Sequence, residues 1–509
     1  MSTTTATPVN RLKKDAVGLV GVIFMAVATA APITAMTGNV PIVISAGNGL
    51  GVPAGYLFAT AVLTIFSVGY TAMAKHITAA GAFYGYISHG LGQVAGMIAG
   101  LLATMAYVVF EASIIGFFAY SAHDTFTSLA GVDIHWLWFA FLGLALNTIL
   151  AYFDINLTAK VLGVFLVTEI LMLGLTATVT LFHGGGPDGL MAETLNPAGA
   201  FTVTGMDVGA VGLGLFMCFW SWVGFESTAM YGEESRNPKK IIPIATLVSV
   251  VGIGLFYTFV SWMTVAANGA ASPKIAAEKF AGIFFDPTEQ LIGPWAVTLF
   301  KILILTGSFA CAMAFHNCAA RYLYAMGREN LIPGTARTLG ATHPVHGSPH
   351  VAGFVQTAIS VILVLAFFFA GMDPYVHMYT LLAVLGTLAI LVVQTMCSFS
   401  VIGYFHLRRK HPETASLWRT LLAPLIGGLA MAYVILLLFQ NQEAAAGAAS
   451  KTALFTAIPW IVVTLALLGL AAALYLRTRH PARYAIIGRI VLEDTTERDT
   501  PTPTPEPTR

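Results

Sequence analysis

Three carboxylates and two indoles stand inside long apolar runs, where such groups are either expensive or informative. Glu226 lies in Trp220-Ser221-Trp222-Val223-Gly224-Phe225-Glu226-Ser227. An ionised side chain at the centre of an apolar span costs at least about 2.5 kcal/mol, so it marks a working site by default. A neighbouring Trp face can hold a cation, worth about 2 kcal/mol once desolvated. The structural alternative is that Trp220 and Trp222 only pack and that Glu226 caps an unwound segment. Glu111 follows Tyr107 by four residues, which puts acid and phenol on one helix face. That pair suits an ammonium group; alternatively, Glu111 accepts hydrogen bonds from a neighbouring helix. Glu169, in Leu166-Val167-Thr168-Glu169-Ile170, is a candidate proton carrier, because burial favours the neutral form of a carboxyl. Packing or an interhelical hydrogen bond is the other reading.

Other reactive side chains point to ordinary roles. Cys218, Cys311, Cys318 and Cys397 all fall in apolar runs without metal-ligand spacing and are read as small packing residues. His316 and Asn317 are read as a satisfied core pair, and His343, His346 and His350 as loop residues rather than metal ligands. No Walker sequence is present, so nucleotide-driven pumping is not expected of this chain. No metal and no cofactor are expected.

The elements that position these residues are set by composition. The chain has 509 residues, 57% hydrophobic and 10% charged, against about a quarter charged in a soluble protein. A net charge of +1 speaks against a nucleic-acid partner. A span needs about 20 apolar residues, and twelve are predicted: 17–46, 53–74, 93–121, 135–153, 158–182, 207–232, 241–266, 295–325, 351–370, 376–405, 420–440 and 454–476. The run from Val17 is too long for a cleavable signal, so residues 1–16 are read as an N-terminal tail. The end of the chain, with its Thr-Pro repeats, is read as a disordered tail over 477–509. With both termini in the cytoplasm, twenty-one basic residues fall inside and three (Lys274, Lys279 and Lys451) outside, with Lys301 near an outer span end. The expected place is the inner (cytoplasmic) membrane.

The first span is interrupted at Pro32 and the sixth at Gly224. Interrupted spans at matching positions of two halves point to a binding site at the bilayer midplane, because backbone freed by a break must face a cavity rather than lipid. The expected fold is an all-α membrane protein: five spans (17–182), an inverted copy (207–405), and two further spans (420–476).

Three stretches resemble the amino acid–polyamine–organocation permeases from Val17 to Leu476. They are Ala79-Ala80-Gly81-Ala82-Phe83-Tyr84-Gly85-Tyr86 after the second span, the sixth-span stretch running into Glu233-Glu234-Ser235-Arg236-Asn237-Pro238-Lys239-Lys240-Ile241-Ile242-Pro243, and Arg321-Tyr322-Leu323-Tyr324-Ala325-Met326-Gly327-Arg328-Glu329-Asn330-Leu331-Ile332-Pro333 after the eighth. The sixth span is especially similar to the "W-S-F-x-G-x-E-S" of the family's arginine/agmatine exchangers. By that resemblance Trp220 lies against the substrate, Ser221, Trp222 and Val223 offer carbonyls around Gly224, and Glu226 responds to pH. Arg321 and Arg328 anchor a span end. Many family members carry "G-x-G" in the broken first span, whose N–H groups cradle a substrate carboxylate. Here the stretch is Ala28-Thr29-Ala30-Ala31-Pro32-Ile33-Thr34, which resembles the polyamine-importing branch and leans towards an amine. The proton-coupled relatives' lysine in the fifth span is replaced by Glu169.

The resemblance implies a secondary transporter, not an enzyme. It would import an amino acid or (poly)amine by alternating access, driven by a proton or a sodium gradient, as a monomer or homodimer in the bilayer. Exchange of a substrate for its decarboxylated product is the alternative, and a transport-dead nutrient sensor a remoter one. The expected substrate contacts are Ala28, Thr29, Ala30, Ala31, Tyr107, Glu111, Trp220, Ser221, Trp222, Val223 and Gly224, with Glu226 and Glu169 coupling the proton.

Overall fold

The computed structural model describes residues 12, 15–78, 81–153, 155–207, 209–440, 449 and 451–490; for 155–162 and 164 the backbone alone is described. The described chain is helical, with isolated bridges in place of any strand. Its helices are α1 (Leu19–Ala30), α2 (Pro32–Ala46), α3 (Val52–Ala74), α4 (Phe83–Gly90), α5 (Gln93–Ala130), α6 (Trp136–Tyr152), α7 (Ile155–Phe182), α8 (Val211–Trp220) and α9 (Pro238–Asn268). They continue with α10 (Ser272–Lys279), α11 (Gly282–Leu291), α12 (Pro294–Arg328), α13 (His350–Phe369), α14 (Thr380–Ile402), α15 (Ala423–Gln440), α16 (Ala453–Arg479) and α17 (Pro481–Ala485). Among the described residues ten helices are long and apolar enough to cross a membrane, counting α1 and α2 as one. Exposed apolar side chains such as Trp138, Leu171, Leu255, Phe369 and Trp460 face outwards from them, as lipid requires.

Two predicted spans differ from simple crossing helices. The fourth is the 17-residue α6. The sixth is no continuous helix over 207–232: α8 stops after ten residues at Trp220, and the chain goes on in short 3-10 turns at Phe225–Ala229 and Gly232–Glu234. The cause lies at Gly224, whose φ of 126° no other residue type adopts easily. Short connecting helices α4, α10 and α11 lie in segments read as loops.

The first span breaks at a single residue. Ala31 takes a left-handed conformation, φ 44° and ψ 79°, and Pro32 starts α2 with its missing N–H at the first helical position. The Ala30 carbonyl freed by the break accepts a hydrogen bond of 2.9 Å from the Tyr257 hydroxyl of α9. Around this broken element the most extensive packing is of α5 on α12 and of α3 on α9.

Order at the C-terminus extends past the expected start of the tail. After α17, Ile487 is fully buried, the Gly488 N–H donates to Glu329 (2.9 Å), and Arg489 donates to the Ser88 carbonyl (3.2 Å). Tyr84 in α4 also donates to Glu329. Residues 491–509, with the Thr-Pro repeats, and most of 1–16 lie outside the described residues.

Burial pushes the Glu329 carboxyl up to about 8, despite these donors and the nearby Arg328. Between its ordinary value near 4.5 and about 8, the folded chain holds a proton that the unfolded chain releases. This group's contribution to stability therefore falls as pH rises through that window. Glu329→Gln should flatten the fall in thermal-unfolding midpoint between pH 5 and 8. An unchanged slope would contradict the buried, protonated carboxyl.

Candidate functional site

The two breaks meet. A cavity with ≈ 210 Å³ of space lies between them, lined by Thr29, Ala30, Ala31, Thr34, Ala35 and Asn39 of the first span, by Trp220, Ser221 and Val223 of the sixth, and by Ile114, Cys311, Phe315 and Tyr379. Gly224 is what allows the approach: a Cβ there would come within 2.6 Å of the Thr29 Cβ.

Backbone polarity in the cavity is uneven. The carbonyl end of α1 arrives at Ala30 and Ala31, and a helix C-terminus carries partial negative charge. The opposing N-terminus of α2 is largely spent: Pro32 has no N–H, and Glu169 accepts a hydrogen bond from the Ile33 N–H. The second Glu169 oxygen, Oε2, is buried without a partner among the described residues, as is the Thr34 hydroxyl on the cavity wall.

Trp220 forms one wall and is held on three sides. Its ring stacks on Phe315 at 5.7 Å and 12°, lies 4.3 Å from Phe110, and its Nε1–H donates to the Tyr379 hydroxyl at 3.3 Å. Tyr379 in turn donates to Asn39 Oδ1 (2.5 Å), and Asn39 Nδ2 donates to Ser221 Oγ (2.8 Å). A chain of polar contacts thus ties the unwound sixth span to α2 and to the start of α14.

Glu226 sits just beyond the cavity. One of its oxygens accepts from the Tyr107 hydroxyl (2.7 Å) and the other from the Gly224 N–H (3.0 Å), while Tyr70 donates to its carbonyl (2.8 Å). Acid, phenol and the bend at Gly224 are therefore one unit. Of the expected substrate contacts, the structure places Thr29, Ala30, Ala31, Trp220, Ser221 and Val223 on the cavity wall. Ala28 is buried in α1. Trp222 turns the other way, lying against Tyr56 and Tyr257 and donating to the Val250 carbonyl (3.2 Å). Glu111 points into a separate buried cluster with His316 Nδ1 (3.0 Å), Gln356 (2.5 Å) and Ser360 (2.9 Å).

Sequence reasoning missed Thr34, Asn39, Phe315 and Tyr379. Asn39 carried a usable signal, being a lone amide in an apolar span. Phe315 and Tyr379 carried none, since an aromatic in an apolar run is more often core.

Two buried ion pairs stand at one end of the bundle. Arg321 donates to both Glu234 oxygens (2.9 and 3.1 Å) and lies over the Tyr231 ring at 4.7 Å. Arg328 donates to both Glu233 oxygens (2.8 and 2.5 Å). These bonds tie the end of α12 to the turns that follow the broken sixth span.

A profile of the family described as "Amino acid permease" matches residues 21–481. Among characterised proteins, the chain is 22% identical over 417 residues to the branched-chain amino acid permease BcaP of Bacillus subtilis, covering 78% of this chain and 81% of that one. It is 24% identical to the low-affinity putrescine importer PlaP of Escherichia coli, covering 74% and 79%. It is 25% identical to the methylthioribose transporter of Bacillus subtilis, covering 75% and 79%.

Proposed function

The chain belongs to the amino acid permease family, a family of transporters, and on that premise we propose that it carries a small ammonium-bearing solute across the membrane by alternating access. The observation that carries this reading is the meeting of the α1 carbonyl end with the end of α8 and the unwound chain after it at a Trp-walled cavity. The negative C-terminal ends of α1 and α8 favour a cation, and the Trp220 face adds to that preference. Because Pro32 and Glu169 leave little of the α2 N-terminus for a carboxylate, an amine is preferred over an α-amino acid.

In this reading the bundle is twelve spans in two inverted sets of five, plus two, with both termini cytoplasmic. The matched breaks at Ala31 and Gly224 and the packing of α3 on α9 and α5 on α12 support such a pairing of halves. The Arg321–Glu234 and Arg328–Glu233 pairs then close the cytoplasmic side.

Import is coupled to protons through Glu169 and Glu226, each of which contacts backbone at a break. Glu169→Gln should cut uptake driven by a pH gradient at least tenfold while leaving exchange of solute across the membrane in place. Equal loss of both activities would remove Glu169 from the coupling role. Exchange is the second reading, supported by the exchanger-like sixth span.

The reading is tested by thermal unfolding of the purified protein with putrescine, ethanolamine, leucine or glutamate. A ligand at a hundredfold excess over its Kd stabilises by about 2.7 kcal/mol. A shift with the amines is expected, and a shift with leucine alone would restore carboxylate recognition at the first-span backbone.

A further inference from the structure

We infer that an open groove at one end of the bundle binds a single anionic phospholipid. It lies between the end of α3, the start of α9 and the chain from Phe405 to Arg419, and holds ≈ 1070 Å³ of space. This inference is independent of what the central cavity carries.

The groove is built in two chemical zones. Its wall is apolar, formed by Val68, Ala72, Pro243, Leu247 and Phe405. The wall continues onto exposed apolar side chains of α9, Ile244 and Val248, that lie along the outside of the bundle. Its rim is polar, with Lys75 just past the end of α3 and Arg419 in the turn that leads into α15. Trp418 sits at the boundary, half-exposed, where indoles settle at a membrane interface.

The charge balance selects the sign of the occupant. Neither Lys75 nor Arg419 makes an ion pair among the described residues. The carboxylate in the lining, Glu413, is exposed and turned to His411 (2.9 Å). Basic pockets between spans at a membrane face take acidic lipid headgroups. A soluble phosphate would satisfy the rim but leave the apolar wall wet, whereas a lipid covers both.

The groove is also fixed in shape. The His76 ring stacks on His411 at 4.0 Å, and His76 Nε2 pairs with the Thr414 hydroxyl at 3.0 Å, so the loop after α14 is held to the end of α3. Deeper in, Pro424 packs against Gly69, where a Cβ would come within 2.6 Å of the ring. The lipid phosphate is held by Lys75 and Arg419, and its chains run along Val68, Ala72 and Leu247.

The test uses the full chain purified in a neutral detergent, with phosphatidylglycerol and phosphatidylcholine of the same acyl chains. Native mass spectrometry should show one phosphatidylglycerol retained per chain under conditions that strip phosphatidylcholine, and only the former should raise the unfolding midpoint. The Lys75→Ala/Arg419→Ala double variant should lose the retained lipid and at least half of the shift. Leu247→Trp, which keeps both cations and fills the wall, should lose it too. Arg236→Ala/Lys240→Ala, which changes exposed basic residues outside the lining, should behave as wild type. Equal retention of the two lipids, retention by the first double variant, or the same loss in the second would overturn the site. A matching shift with soluble glycerol phosphate would reduce it to a phosphate site.

Discussion

Trp220→Ala is expected to weaken binding of an amine substrate about 30-fold or more, because a desolvated cation–π contact is worth about 2 kcal/mol and 1.4 kcal/mol is tenfold in affinity. The indole is placed for that contact by Phe315, Phe110 and Tyr379 together rather than by its own helix, which ends at Trp220. Trp220→Phe keeps a ring against Phe315 but loses the bond to Tyr379, so it should fall between wild type and Ala. Isothermal titration on the three proteins checks the order, with the ligand-free unfolding midpoint as the control for folding. Equal affinities would remove Trp220 from the substrate wall.

The second large effect concerns the buried ion pairs at one end of the bundle. Arg321 and Glu234 are both almost fully buried, with a contact of 2.8 Å. Removing one partner of a buried pair costs roughly 3–5 kcal/mol because a charge is stranded, while replacing both with apolar groups is often neutral. Arg321→Met alone should lower the unfolding midpoint sharply, and Arg321→Met/Glu234→Met should recover most of the loss. The double variant should also favour the state open at that end, read as faster labelling of a cysteine placed at Ser221 by a reagent added from that side. A single variant as stable as wild type would contradict the pairing.

The broken elements were legible in the sequence because the residues that break a helix are few. Pro32 and Gly224 each leave a local mark that survives without tertiary context, and the break at Ala31 falls one residue before the proline. The short α6 and the stop at Trp220 were less legible, since hydropathy counts apolar residues and does not report where a helix unwinds. Pairings between distant segments were not legible at all. Glu233, Glu234, Arg321 and Arg328 could each be quoted from their stretches, yet nothing in the chain states which acid meets which base. Glu111 and Tyr107 do share a helix, but their partners come from three other segments. Tyr107 is claimed by Glu226, and Glu111 by His316, Gln356 and Ser360. Spacing on one helix reports who can be neighbours, and packing of the others decides.

The most direct measurement is uptake of radiolabelled solutes into proteoliposomes under an imposed pH gradient, comparing putrescine and ethanolamine with leucine and with uncharged methylthioribose. The account predicts accumulation of at least one ammonium-bearing solute, abolished when the gradient is collapsed and strongly reduced by Trp220→Ala. Accumulation of methylthioribose with both amines and leucine silent would contradict it, because nothing in a cavity bounded by carbonyl ends and an indole face would then be acting on a cation.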